Sequence, residues 1–216
     1  MPDPEKLEQL KSCNEPAFRE FYEIYAASIA AREQKSEAWI CEMVRKPDNK
    51  VLVIKRGGQV KGFSILFLPR SRSFGLLEYM AVVREERNRG LGAEIFRRSM
   101  EHAWTREGQA VPILLEVDSD REPSLDQKLR TRRQQFYHRL GCLRIAGLDY
   151  ILPLPGEGPP PEMDLMIYPA GNLRQIPKAD LEKWLETIYQ DVYRCSPDDP
   201  RIGKMLANLP EAVQLE

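Results

Sequence analysis

Between an apolar run, Leu76 to Val83, and an amphipathic stretch that begins at Leu91, the chain carries Arg87-Asn88-Arg89-Gly90-Leu91-Gly92. Residues of these types at this spacing could hold an anion. The first turn of a helix leaves backbone N–H groups without intrahelical partners and carries the positive end of the helix dipole, which together suit a pyrophosphate. Gly90 and Gly92 put no Cβ in the way of a ligand approaching the backbone. Arg87 and Arg89 add charge and donors at the same place. The spacing is not a dinucleotide fingerprint, because Ile95 stands where Gly-x-Gly-x-x-Gly needs its third small residue. Nor is it a P-loop, since no Gly-Lys-Ser/Thr follows. Taken alone, a Gly-x-Gly turn could do no more than lead a strand into a helix.

A second segment, Phe136-Tyr137-His138-Arg139-Leu140-Gly141, gives that turn a context. With the strands between them, the two segments resemble the GNAT superfamily of acyl-CoA-dependent N-acetyltransferases. Arg87 to Gly92 match its Arg/Gln-x-x-Gly-x-Gly/Ala motif, and Tyr137 to Gly141 match its Tyr-x-x-Leu-Gly helix end. The likeness runs from about residue 15 to about residue 168 and is clearest over 76–142.

The resemblance implies an α/β fold: a mixed, mostly antiparallel twisted sheet with a central splayed parallel strand pair, flanked by helices. The splayed strands would be residues 76–83 and 111–117, with the pantetheine arm of acetyl-CoA in the gap. Backbone groups of Met80, Ala81 and Val82 would pair with the pantetheine and polarise the thioester carbonyl. The amides of Asn88, Arg89, Gly90, Leu91, Gly92 and Ala93 would hold the pyrophosphate. Tyr137 matches the tyrosine that gives a proton to the departing CoA thiolate. An ordinary phenol, with a pKa of ~10, keeps that proton at neutral pH. The base is either Glu116, in Leu115-Glu116-Val117, or Glu78 on the first strand, or ordered water. A buried, unpaired carboxylate would have a raised pKa, whereas either could instead be a structural charge met by an arginine. The implied reaction is direct attack by a primary amine, from a small molecule, a peptide N-terminus or a lysine, in a ternary complex. Acetyl-CoA is then the cosubstrate, and no metal is needed. The competing reading is a non-catalytic acyl-CoA-binding sensor or interaction module, against which the presence of Tyr137 counts.

The composition sets bounds on this. The chain has 216 residues, 42% hydrophobic and 30% charged, with a net charge of −1, which gives no general affinity for nucleic acid or membrane. The four cysteines, Cys13, Cys41, Cys142 and Cys195, form no C-x-x-C pair, which argues against a zinc site or a disulfide framework and fits a reducing compartment. No apolar run approaches a membrane span or a signal peptide, so the cytoplasm is expected.

The elements that must position these residues are legible from periodicity. Phe18, Phe21, Tyr22, Tyr25 and Ile29 recur at helical spacing, and Ser36 is placed to cap a second helix with Trp39, Ile40, Met43 and Val44. Val51–Ile54 and Val60–Leu68 read as strands joined by a hairpin at Gly57-Gly58. A helix over about 90–106 and a buried strand over 111–117 follow. Ser124-Leu125-Asp126-Gln127 reads as a capping box opening a helix with Leu125, Leu129, Phe136 and Leu140 on its apolar side. The resemblance to the GNAT superfamily implies an insertion around residues 119–133, because Tyr137 comes late after the preceding strand. Residues 143–152 and 163–168 read as a strand pair around the proline-rich loop 153–161. Leu181, Trp184, Leu185, Ile188 and Val192 form a helical packing stripe. The expected organisation is a catalytic domain over 1–170 with a helical extension, 171–216, packed on it. A homodimer is one arrangement such a stripe would permit.

Overall fold

In the first half of the chain the apolar strands pair off as an antiparallel sheet with helices on both faces. The computed structural model describes residues 7–70, 73–107, 110–121, 123–154 and 160–216. Two compact units divide the chain, Met1–Ala110 and Val111–Glu216.

In the first unit, β1 (Leu7–Gln9), β2 (Asn49–Arg56), β3 (Gln59–Phe67) and β4 (Gly75–Val82) lie side by side in that order, all antiparallel. β1 is too short to show alternation and was not expected from the sequence. The β2–β3 hairpin turns at Gly57 (φ 58°) and Gly58 (φ 78°), where two successive positive φ angles favour glycine. α1 (Pro16–Ser28) starts with Pro16, whose missing N–H costs nothing at a helix start, and buries Phe18, Phe21, Ile24 and Tyr25. The Ser36 side chain caps α2 (Glu37–Arg45) by accepting from Trp39 N at 3.3 Å, as expected. α3 (Leu91–Glu107) follows β4.

Strand alternation puts α1 and α3 on opposite faces of β3. Phe63 meets Phe21 of α1 edge-on, with centroids 4.9 Å apart. Its neighbours Gly62 and Ser64 face α3, and the Ser64 and Ser99 hydroxyls bond at 2.7 Å. A Cβ on Gly62 would stand 2.5 Å from Ile95 Cδ1 and 2.9 Å from Ala81 O. The space is filled by the helix that follows the anion turn. Gly62→Ala is therefore expected to lower stability by about 1–3 kcal/mol, the usual cost of overpacking. Urea unfolding checks this, and an unchanged midpoint would mean that α3 can retreat freely.

The expectation of no disulfide is corrected here: Cys13 and Cys41 are joined, with their Cα atoms 5.7 Å apart. Their sequence separation of 28 hides the pairing from any motif, because α1 carries the chain away from β1 and back to α2. Cys142 and Cys195 are free thiols.

In the second unit, β8 (Glu162–Tyr168) pairs antiparallel with β5 (Ile113–Asp118) on one edge. On the other edge it pairs with the short strands β6 (Leu143–Arg144) and β7 (Tyr150–Ile151). β5 is buried along most of its length, as its apolar run requires. α4 (Gln127–Arg139) begins later than expected, and Leu125 is fully exposed while Leu129 is mostly so. The helix docks through polar groups instead. Gln134 is buried, and its Nε2 donates to Asp118 O and to Asp164 Oδ2, both at 2.9 Å. Only the reach of Gln127 back to Ser124 N, at 3.1 Å, survives from the expected capping box.

The C-terminal stripe is buried as expected, on α5 (Lys178–Thr187) and on a π turn over Ile188–Val192. α6 (Pro200–Leu206) follows, and β9 (Gln175–Pro177) pairs with β10 (Ala212–Gln214) in a separate two-stranded sheet. Residues 155–159 of the proline-rich loop lie outside the described residues. Among the described residues no helix is long and apolar enough to cross a membrane, and no group of histidines, cysteines and carboxylates could hold a metal ion.

Candidate active site

β4 leaves the sheet at Val82, and a short 3-10 turn over Arg84–Glu86 leads to the motif. Asn88 (φ 65°) and Gly90 (φ 89°) then reverse the chain into α3. Asparagine tolerates the left-handed region better than most residues, and glycine enters it freely. Space around Gly90 is open, with no atom within 4 Å of a hypothetical Cβ. The amides of Leu91, Gly92 and Ala93 form the first turn of α3, where an α-helix has no carbonyl to offer them. Arg84, Arg87, Asn88, Arg89 and Gly90 are all exposed. Two of the acids nearby are neutralised, since Arg56 reaches Glu86 at 2.7 Å and Glu94 at 3.7 Å and Arg98 reaches Glu94 at 2.8 Å, whereas Glu85 is exposed. Over Arg87–Gly90 itself, what faces solvent is a set of donors with positive charge, suited to a phosphate group. A groove of ≈ 630 Å³ beside the turn is lined by Glu20, Glu23, Lys61, Arg84, Glu85 and Arg87, and its mixed signs do not extend the anion site.

Met80, Ala81 and Val82 lie opposite Ser64, Phe63 and Gly62 of β3, in the half of β4 that leads into the turn. Just before them the register breaks: Leu66 faces Leu77 and Ile65 faces Tyr79, leaving Glu78 as the extra residue of a β-bulge. Bulges re-aim side chains and recur beside active sites. Here the bulge sends the Glu78 carboxylate to the ammonium of Lys35, with the two side chains 3% and 6% exposed. Asn49 Nδ2 donates to its other oxygen at 3.3 Å. The Lys35 ammonium also lies 5.4 Å from the Trp39 ring centroid and 5.6 Å from that of Tyr79. Glu78 is thus a buried ion-paired charge, and its cation is a lysine rather than the arginine considered from sequence. Removing either partner would leave a charge uncompensated away from water, which stabilises the pair as a unit.

Glu116, half-buried on β5, accepts hydrogen bonds from two phenols. Oε1 accepts from the Tyr150 hydroxyl of β7, and Oε2 accepts from the Tyr193 hydroxyl at 2.5 Å. Burial first, and then the charge of Glu116, push the Tyr150 phenol well above the usual tyrosine range, so that it remains a donor.

Tyr137 lies near the C-terminal end of α4, half-buried, its ring edge-on to Phe136 with centroids 5.1 Å apart. Burial raises its pKa to about 12, against a smaller opposing effect of the Arg133 guanidinium. The helix end is closed over it: Leu140 N and Cys142 N both donate to Tyr137 O at 3.0 Å, and His138 Nδ1 lies 3.1 Å from Cys142 O. The phenol keeps its proton throughout the neutral range and can act only as a donor or an acid there.

Within the first unit, then, the bulge residue Glu78, the strand Met80–Val82 and the turn Arg87–Ala93 are consecutive. Within the second, Glu116 is tied to Tyr150 and Tyr193, and Tyr137 ends α4. Lys35, Asn49, Tyr150 and Tyr193 were not expected from the sequence. None stands in a motif, and each reaches its carboxylate only through long-range packing.

The chain matches the acetyltransferase (GNAT) family over residues 9–141. No curated protein sequence matches it. Among solved structures it is similar to a GNAT-family acetyltransferase from Bacteroides thetaiotaomicron, with 24% identity and a TM-score of 0.69 over 88% of this chain and 99% of that one. It is also similar to the ribosomal-protein-S18-alanine N-acetyltransferase of Escherichia coli, with 16% identity and a TM-score of 0.58 over 78% and 95% of the two chains. A GNAT acetyltransferase from Elizabethkingia anophelis with acetyl-CoA bound gives 14% identity and a TM-score of 0.54 over 76% and 97%. Likeness at these identities shows the fold, the α/β class expected from the motifs: a mixed, mostly antiparallel sheet flanked by helices.

Proposed function

Because the chain belongs to the acetyltransferase (GNAT) family, we propose that it transfers the acetyl group of acetyl-CoA to a primary amine by direct attack in a ternary complex. The observation that carries this reading is the exposed basic turn Arg87–Gly92 opening onto the first turn of α3, with Glu86 and Glu94 held by arginines. The amides of Asn88 to Ala93 hold the pyrophosphate, with Arg87 and Arg89 beside them. Backbone groups of Met80, Ala81 and Val82 bind the pantetheine and polarise the thioester carbonyl. The amine nitrogen attacks the carbonyl carbon, the C–S bond breaks, and sulfur leaves with its electron pair and takes the Tyr137 proton.

The amine must also lose a proton. Glu78 is engaged by Lys35, which supports giving the base role to Glu116, directly or through water. The acceptor class follows similar proteins that act on a ribosomal protein's alanine or on an aminoglycoside: a peptide-borne or small-molecule amine. Residues 1–170 form the catalytic domain and 171–216 its helical extension, a reading supported by the bond from Tyr193 to Glu116.

The turn supplies positive charge from the protein itself, so CoA is expected to bind in excess chelator, with an affinity in calorimetry that added magnesium or zinc does not change. No detectable binding at millimolar CoA would overturn the reading. Binding without thiol release across a broad panel of amines would leave a non-catalytic acyl-CoA-binding module.

A further inference from the structure

We propose that the segment 188–201 of the C-terminal extension is a working part of the site and that Tyr193 is a positioning residue for Glu116. This rests on the base role given to Glu116 above.

A carboxylate with one donor on one oxygen can still swing about its last bond. Glu116 has a donor on each oxygen, from two separate elements, Tyr150 on β7 and Tyr193 beyond α5. The two bonds together set the plane of the carboxylate. Donation to the charged form favours that form, so the pair of phenols keeps Glu116 ready to accept a proton.

The backbone around Tyr193 is built to aim it. The helix that begins as α5 widens into a π turn, in which Tyr193 N donates to Ile188 O, five residues back, at 3.3 Å. π turns are uncommon and gather at functional sites. Arg194 follows at φ 59°, a conformation that costs a residue with a side chain on the order of 1–2 kcal/mol. The segment is braced on both sides of this strain. Cys195 N donates to Tyr189 O at 2.8 Å, and the Tyr189 hydroxyl donates to Ile151 O, the residue after Tyr150. The Arg201 guanidinium lies 5.3 Å from the Tyr189 ring centroid and bonds Asp199 at 2.6 and 2.8 Å. Tyr150 and Tyr193 are therefore tied to one another through Tyr189 as well as through Glu116. A tyrosine serving only to pack would need none of this. Both phenols lie beyond the segment 9–141 that matches the family, so the motifs alone do not reveal them.

The test compares wild-type protein with Tyr193→Phe, Glu116→Gln and Tyr193→3,5-difluorotyrosine, the last a stronger donor of nearly the same shape. Carboxyl-carbon NMR follows the titration of Glu116, its signal assigned by its loss in Glu116→Gln. The ionisable groups around it, Tyr150, Tyr189, Cys195 and the Arg201–Asp199 pair, are the same in every variant. Tyr193→Phe is expected to raise the Glu116 midpoint by about one pH unit, and the difluorinated residue to lower it. With an amine that the enzyme turns over, Tyr193→Phe moves the acid limb of kcat/KM upward by the same amount. It lowers kcat about tenfold near that limb and leaves the acetyl-CoA KM within about twofold. An unmoved midpoint in both Tyr193 variants, with Glu116→Gln inactive, would overturn the assignment of Tyr193 alone. Full turnover by Glu116→Gln would instead remove the base role on which the assignment rests.

Discussion

Gly90→Glu is expected to weaken CoA binding by about 10³-fold while leaving the fold in place. The glycine sits at φ 89° at the mouth of α3, and a side chain there meets nothing within 4 Å. Steric clash inside the protein is therefore not the cause, and the backbone strain of a non-glycine residue, on the order of 1–2 kcal/mol, falls on stability. The loss of affinity comes from charge. A carboxylate about 4 Å from one pyrophosphate charge, at an effective dielectric of about 20, is repelled by about 4 kcal/mol, or nearly 10³-fold in affinity. Gly92→Glu, in the first turn of the helix, should act in the same way. Gly90→Ala separates the two effects, because it carries the strain without the charge and should keep most of the affinity. Calorimetry with CoA and circular dichroism measure both. Normal affinity in a folded Gly90→Glu protein would place the anion site elsewhere.

Tyr137→Phe is expected to lower kcat by about 10²-fold or more, the usual scale for a proton-transfer partner, with little change in acetyl-CoA affinity. The hydroxyl matters as charge grows on sulfur, so its loss is felt in the transition state and not in the ground state. Phenylalanine keeps the edge-on contact with Phe136, which separates a lost proton from a lost packing contact. Burial raises the phenol to about 12, so wild-type turnover should show no basic limb from Tyr137 in the neutral range. The sign for stability follows from the same shift. In the unfolded chain the phenol ionises near pH 10, whereas the native state holds its proton to about 12. The favourable contribution is complete below about pH 10 and is lost as pH rises through about 12. Tyr137→Phe should remove this part of the alkaline loss of stability. An unchanged kcat at a rate limited by chemistry would leave Tyr137 a packing residue.

Much of the scaffold of this site is written locally in the chain. The hairpin at Gly57-Gly58 is readable because successive positive φ angles leave few residue choices, and α1 and α2 because apolar residues recur at helical spacing. The turn Arg87–Gly92 is readable because a strand, a glycine-punctuated bend and a helix start are consecutive, so every donor that it offers comes from a few adjacent residues. Tyr137 is legible for the same reason, at the end of a helix closed by Leu140 and Gly141.

The state of each carboxylate was decided by tertiary structure alone. Glu78 and Glu116 look alike in sequence, each a single acid in an apolar strand. A bulge in β4 turns the first onto Lys35, 43 residues away, and the second meets Tyr193, 77 residues away. Local periodicity carries no information about partners at such separations. The same holds for Cys13 and Cys41, and for β1, too short to alternate but held by its pairing with β2. Leu125 and Leu129 are the converse case: their helical spacing promised a buried face, yet α4 docks through Gln134 and leaves them in water. Backbone conformation depends on neighbours in the chain, so sequence could specify the cradle for the anion. Whether an acid is free, paired or aimed depends on which distant donors reach it, and only the folded chain brings those donors within hydrogen-bond range.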